Sequence, residues 1–176
     1  MTSGMGEAAA RRPLFLRVRQ ALAQVDRVSF LLVVVAMALM TSLVAGQVFF
    51  RYVLSNSIDW AEEMARLMFV WVMFLAIPHG LKTGIHVGID VVVCRLSRGT
   101  QDTIFRITAA LGAVLMAIVF YYAGQVASDT WDELMPTVDV TSAVYYLAVL
   151  VAAGHSFLHL VLLTWGGPTT WNEGEP

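Results

Sequence analysis

The chain has 176 residues, of which 58% are hydrophobic and only 14% charged, and its mean hydropathy is +0.70. A soluble domain carries about a quarter charged residues, so this composition excludes an ordinary water-soluble globule and points to a small integral membrane protein. The net charge of -2 leaves no basic excess for nucleic acid, and no block of like charges forms a tail.

Taken in chain order, residues 1–28 form a basic segment with Arg11, Arg12, Arg17, Arg19 and Arg27. Met1 to Ala10 is expected to be disordered. The run from Arg11 to Arg17 loosely resembles a twin-arginine export signal. The apolar stretch that follows lies too far downstream, is too long and lacks a small-residue cleavage site, so an uncleaved first span is expected.

A bilayer core needs about 20 apolar residues in a helix. Four stretches meet that length, and backbone satisfaction in lipid makes them helices. They are 29–50, 60–80, 103–127 and 143–165 within a transmembrane domain at 29–166, followed by a short tail at 167–176. The expected fold is therefore an all-α membrane protein with four transmembrane helices.

The second span opens on Asp59, Glu62 and Glu63. Asp59 and Glu62 have capping-box spacing. Glu62 and Glu63 precede Arg66 by four and three residues, so either can pair with it on one helix face. Two readings stay open: carboxylates at a helix N-terminus that favour the dipole and remain in water, or a docking surface for another chain. At the far end, Pro78 removes the amide that would bond the Phe74 carbonyl, so the helix is expected to kink or end there. From Ile85 to Leu96, apolar residues recur at helical spacing among His86, Asp90 and Arg95. This predicts a short interfacial amphipathic helix between the second and third spans.

His155 and His159 share a face of the fourth span. They could hold a metal, or one could pair with His79 across a haem. The plainer reading is interhelical hydrogen bonding. His155 is expected nearer mid-membrane than His79. No carboxylate falls within spans one, three or four as drawn, which disfavours a small proton-driven exporter. Small residues recur every four positions at Ala109, Ala113 and Ala117, at Ser42 and Gly46, and at Ala148, Ala152 and Ser156. Such spacing suits close helix packing. Arg106 is expected to reach back to the headgroups.

Orientation follows the positive charges. Five lie before span one, Lys82, Arg95, Arg98 and Arg106 lie between spans two and three, and only Arg51 and Arg66 lie between spans one and two. Nine of eleven therefore share one side, which is expected to be cytoplasmic together with both termini. Trp60, Trp131, Tyr145, Tyr146 and Trp165 fall near the expected interfaces. Lone Cys94 forms no internal disulfide and is expected as a cytoplasmic thiol. No nucleophile–base set, zinc-spaced cysteines or phosphate loop is present, so no enzyme activity, metal or other cofactor is assigned.

A forty-residue stretch carries a more specific pattern. It runs Arg51-Tyr52, Trp60-Ala61-Glu62-Glu63, Arg66, Val70-Trp71, Phe74-Leu75, Gly84-Ile85-His86-Val87 and Asp90. This resembles the small membrane subunit (DctQ-like) of tripartite ATP-independent periplasmic (TRAP) transporters, whose pattern is an RY pair, W-x-E-E-x-x-R, an aromatic-rich span and G-x-H-x-x-x-D. Ala76 stands where that family often has Gly, and Pro78 is a further departure. The resemblance implies a bacterial inner-membrane subunit that scaffolds a large membrane subunit during ion-coupled uptake of an organic acid. A periplasmic substrate-binding protein would deliver the solute. The coupling ion, sodium, would sit in the large subunit, and membrane lipid would surround the rest. Candidate partner-interface residues are Arg51, Trp60, Glu62, Glu63, Arg66, Trp71, His86 and Asp90. The alternative is a cytochrome b-like redox subunit built on the histidines.

Overall fold

A computed structural model describes residues 13–56, 58–82 and 97–167. The interfacial helix expected around 85–96, with His86, Asp90 and Cys94, lies outside them. The described residues form four long helices: α1 (Pro13–Val53), α2 (Asp59–Lys82), α3 (Arg98–Asp129) and α4 (Ala143–Gly166). All four are long and apolar enough to cross a membrane. The chain is thus an all-α membrane protein with four transmembrane helices.

Local chemistry explains the helix ends. Pro13 opens α1, where its missing amide removes no helical bond. At the other end the Phe50 carbonyl accepts the amides of Leu54 and Asn56, and Ser55 turns the chain at φ 49°. Asp59 and Glu62 occupy the first turn of α2, where the helix dipole favours them. Of the two outcomes expected at Pro78, a kink or an end, the structure rules out the end. The helix runs on to Lys82, and the proline ring is fully buried, in keeping with the tolerance of membrane helices for proline. Ser97 caps α3 by accepting the Thr100 amide at 3.4 Å. Thr41, Ser42, Thr103 and Thr164 within the helices, and Thr130 just past the end of α3, each donate a hydroxyl to the carbonyl four residues back. Each of these hydroxyl protons is thereby satisfied by the chain's own backbone, without water.

The helices contribute to two compact units. The first takes residues up to Arg27, Ile77–Ile118 and those from Ala153 onward; the second takes Val28–Ala76 and Val119–Ala152. In the first unit, Ala109 and Ala113 of α3 pack with Leu160 and Leu163 of α4. Gly112 faces Leu160 so closely that an added Cβ would stand 3.3 Å from its side chain. Phe15 and Leu22 of α1 pack with Leu162 and Trp165, the Phe15 and Trp165 rings meeting edge to face at 5.5 Å. In the second unit many of the buried residues are small or branched: Ala61, Ala65, Val72, Ala123, Ala127 and Ala148 among them.

Burial is uneven among the helices. Half of the apolar core of α4 is buried, against 28% for α2 and 11% for each of α1 and α3. The α4 stripe Ala148, Ala152 and Ser156 is buried throughout. On α3, Ala109 and Ala113 are buried but Ala117 is exposed; on α1, Ser42 is exposed and Gly46 has open space beside it. Most of the less exposed positions of α1 lie on a seam (Phe15, Arg19, Leu22, Asp26, Ser29, Val33, Ala36, Met40, Leu43 and Gln47), with Ala23 and Gly46 beside it. Along the seam, from Phe15 to Gln47, the steps alternate between four and three, the spacing of a narrow packing stripe.

Candidate functional site

Two polar sites emerge, one in each unit. In the second unit, Arg51, Trp60, Glu62 and Arg66 are exposed, whereas Glu63 and Trp71 are half-buried. The two adjacent glutamates diverge. Glu62 takes Arg66 one turn on, at 3.3 Å, in a largely exposed pair. Glu63 turns to the α3–α4 loop, where its Oε2 accepts the Thr137 amide at 2.9 Å and also the Thr137 hydroxyl.

That loop is itself ordered by hydrogen bonds. An isolated antiparallel bridge joins Leu134 to Thr141. Met135 donates to the Val140 carbonyl at 2.9 Å and Ser142 to that of Glu133 at 2.7 Å. The Thr141 hydroxyl reaches the Trp131 carbonyl at 2.6 Å and accepts the Ala143 amide at the start of α4. Glu63 therefore has a structural task inside this chain. Glu62, Arg66, Trp60 and Arg51 present their polar groups outward.

The second site lies in the first unit. Asp26 of α1 and His155 and His159 of α4 are all buried. Asp26 Oδ1 stands 2.9 Å from His155 Nε2 and 2.8 Å from His159 Nε2, and the two Nε2 atoms are 3.2 Å apart. The four-residue spacing on α4 puts both imidazoles on one face, and α1 supplies the carboxylate between them. The His79 ring meets His155 edge-on with centroids 6.5 Å apart, so the expected difference in level between these two does not hold. A haem-type pairing of His79 with α4 is not what the structure displays, since both α4 imidazoles direct Nε2 at Asp26. Hydrogen bonding between helices is the use the structure gives them.

Asp26 is hidden in the sequence because the first apolar run begins only at Ser29. Its signal was nonetheless present: Asp26 sits three residues before that apolar run and in step with Leu22 and Ser29. Arg106 also departs from expectation. It does not reach outward alone but donates Nη1 to the carbonyls of Thr164 and Trp165 at 2.8 and 3.1 Å, and pairs through Nε with Asp102 at 3.1 Å. These carbonyls are the unpaired acceptors at the end of α4. Gly167 closes that end with φ +81° and an amide bond to the Leu163 carbonyl at 2.8 Å.

Four apolar helices, a short polar loop at one site and a buried acid–imidazole cluster at the other define a small multi-pass membrane protein. The sequence profile of the DctQ component of tripartite ATP-independent periplasmic transporters matches residues 40–167. The chain belongs to this family, the small permease subunits of TRAP transporters. It is 26% identical over 128 residues to a protein of Haemophilus influenzae described as a TRAP transporter small permease, covering 73% of this chain and 78% of the relative. Similarity to the C4-dicarboxylate TRAP transporter small permease protein DctQ of Rhodobacter capsulatus is 24% over 99 residues, or 56% of this chain and 44% of that protein. The isethionate TRAP transporter permease protein DctMQ of Oleidesulfovibrio alaskensis is 27% identical over 97 residues, 54% of this chain but only 15% of that much longer protein. A large membrane partner follows from membership of this family, and the redox reading gains no support from it. Asp26 lies outside the matched residues, whereas His155 and His159 lie within them.

Proposed function

We propose that this chain scaffolds the large membrane subunit of a TRAP-type secondary transporter during binding-protein-dependent, ion-coupled uptake of an organic acid. The observation that carries this reading is the apolar surface on α1 and α3. Only 11% of the apolar core of each is buried within the chain, which leaves two helices available to lipid and a membrane partner. The long DctMQ relative, which carries the matching stretch as a small part of one polypeptide, supports a partner of that kind. Relatives named for C4-dicarboxylates and isethionate support an organic acid as solute. In this reading the coupling sodium ion belongs to the large subunit, and this chain holds no transport site.

The exposed groups Arg51, Trp60, Glu62 and Arg66, together with the half-buried Trp71, form the surface nearest the large subunit or the docked periplasmic binding protein. The protein resides in the bacterial inner membrane with both termini cytoplasmic. Affinity purification of the tagged chain from native membranes tests the reading. A much larger polytopic protein should co-purify, and deletion of this chain should abolish binding-protein-dependent uptake across a panel of C4-dicarboxylates and sulfonates. Uptake that persists in the deletion strain, or transport by the chain alone, sinks it.

A further inference from the structure

The buried cluster of Asp26, His155 and His159 has the donor set, spacing and enclosure of an ion site. The geometry points to a binding site for a divalent first-row transition ion, with zinc as the probe, held by Asp26 Oδ1 and the Nε2 atoms of His155 and His159. This ion would join α1 to α4 within the first unit.

Three observations carry it. The first is the shape of the donor triangle, whose sides are 2.8, 2.9 and 3.2 Å. A tetrahedral zinc ion about 2.0–2.1 Å from each donor needs them roughly 3.3 Å apart. The sides therefore open by no more than a few tenths of an ångström to about half an ångström to admit the ion above their plane. The second is chemistry: two imidazole nitrogens and one carboxylate oxygen suit zinc, iron(II) or nickel better than calcium or magnesium, which prefer all-oxygen sites. Histidines four apart on a helix also place both nitrogens on one side of an ion. The third is enclosure. All three residues are buried, His159 completely. A buried carboxylate is stable only when compensated. The two imidazoles lie within hydrogen-bond distance of its Oδ1, and a divalent ion held by all three groups would bring positive charge directly to the carboxylate. Three protein donors leave one coordination position open.

The test uses the full chain purified in detergent and stripped with chelator. Zinc is then titrated in competition with a chromophoric chelator. Wild type should take up one ion per chain, and the His155→Gln/His159→Gln double variant, which keeps side-chain amides for hydrogen bonding, should lose at least tenfold in affinity. Asp26→Asn should lose affinity similarly. Cobalt(II) should give wild type the visible absorption of a tetrahedral site. His159→Cys, which retains a ligand, should add a thiolate-to-cobalt charge-transfer band. That spectrum decides the matter even if the double variant does not fold. Failure of stripped wild type to bind stoichiometric zinc overturns the proposal. So does zinc affinity in a folded double variant equal to wild type, or a cobalt spectrum unchanged by His159→Cys.

Discussion

At Glu63 a single carboxylate accepts both the amide and the hydroxyl of Thr137. Its neighbour Glu62 makes an exposed pair with Arg66, both side chains about two-thirds accessible. The two therefore differ in what their loss does. Glu63→Ala leaves the Thr137 amide without its acceptor and should destabilise the chain by about 1–2 kcal/mol. The α3–α4 loop should also become more open to protease. Glu62→Ala removes an i,i+4 pair worth no more than about 0.5 kcal/mol and should leave stability almost unchanged. Denaturant unfolding in micelles, with limited proteolysis, measures both. If Glu62→Ala nonetheless lowers co-purification with the large subunit, its role is docking; equal stability loss for the two variants would refute the division of labour. Sequence spacing offered Arg66 to either glutamate and could not choose, because Thr137 lies 74 positions away. The same limit hid Asp26. A lone carboxylate at the edge of an apolar run reads as a solvated end until its two histidines are brought to it by folding. For Arg106, sequence gives the charge, which suits headgroups, but not the end of α4 beside it.

Among the elements, α4 bears most of the packing. Its small residues let neighbours approach, and Ala148 is wholly buried. Ala148→Leu inserts three further carbon atoms into that site and should destabilise by about 1–3 kcal/mol. Ala117→Leu, on the exposed side of α3, should be neutral in isolated chain. Thermal unfolding of the two variants in the same detergent checks the contrast, and a larger loss at Ala117 would contradict it. The number and type of helices were legible in the sequence because twenty-residue apolar runs admit little else in a bilayer. The reach of α1 was not. Its 41 residues span roughly 62 Å at 1.5 Å per residue, about twice the hydrocarbon thickness. The basic stretch before Ser29 is polar enough to be drawn as a separate segment, yet Phe15, Leu22 and Asp26 turn inward and extend the helix. Small-residue spacing likewise did not reveal which stripes pack: those of α4 do, that of α1 does not.

For the molecule as a whole, the distribution of charge sets a testable orientation. Nine of eleven Lys and Arg residues fall on the side assigned to the cytoplasm. A membrane-impermeant maleimide should label Asn56→Cys, exposed after α1, in intact spheroplasts; Cys94 should react only after permeabilisation. Reversal of that pattern would invert the topology. The Asp26 cluster carries a further consequence for how the protein is made. His155 stands 129 residues after Asp26. At about 5–20 residues per second, the ribosome needs roughly 6–26 s to supply the first imidazole after the carboxylate has emerged. During that interval the N-terminal half of α1 has no α4 to bury against. Its final seating is therefore a late step of biosynthesis, set by the arrival of α4 and not by the entry of α1 into the membrane.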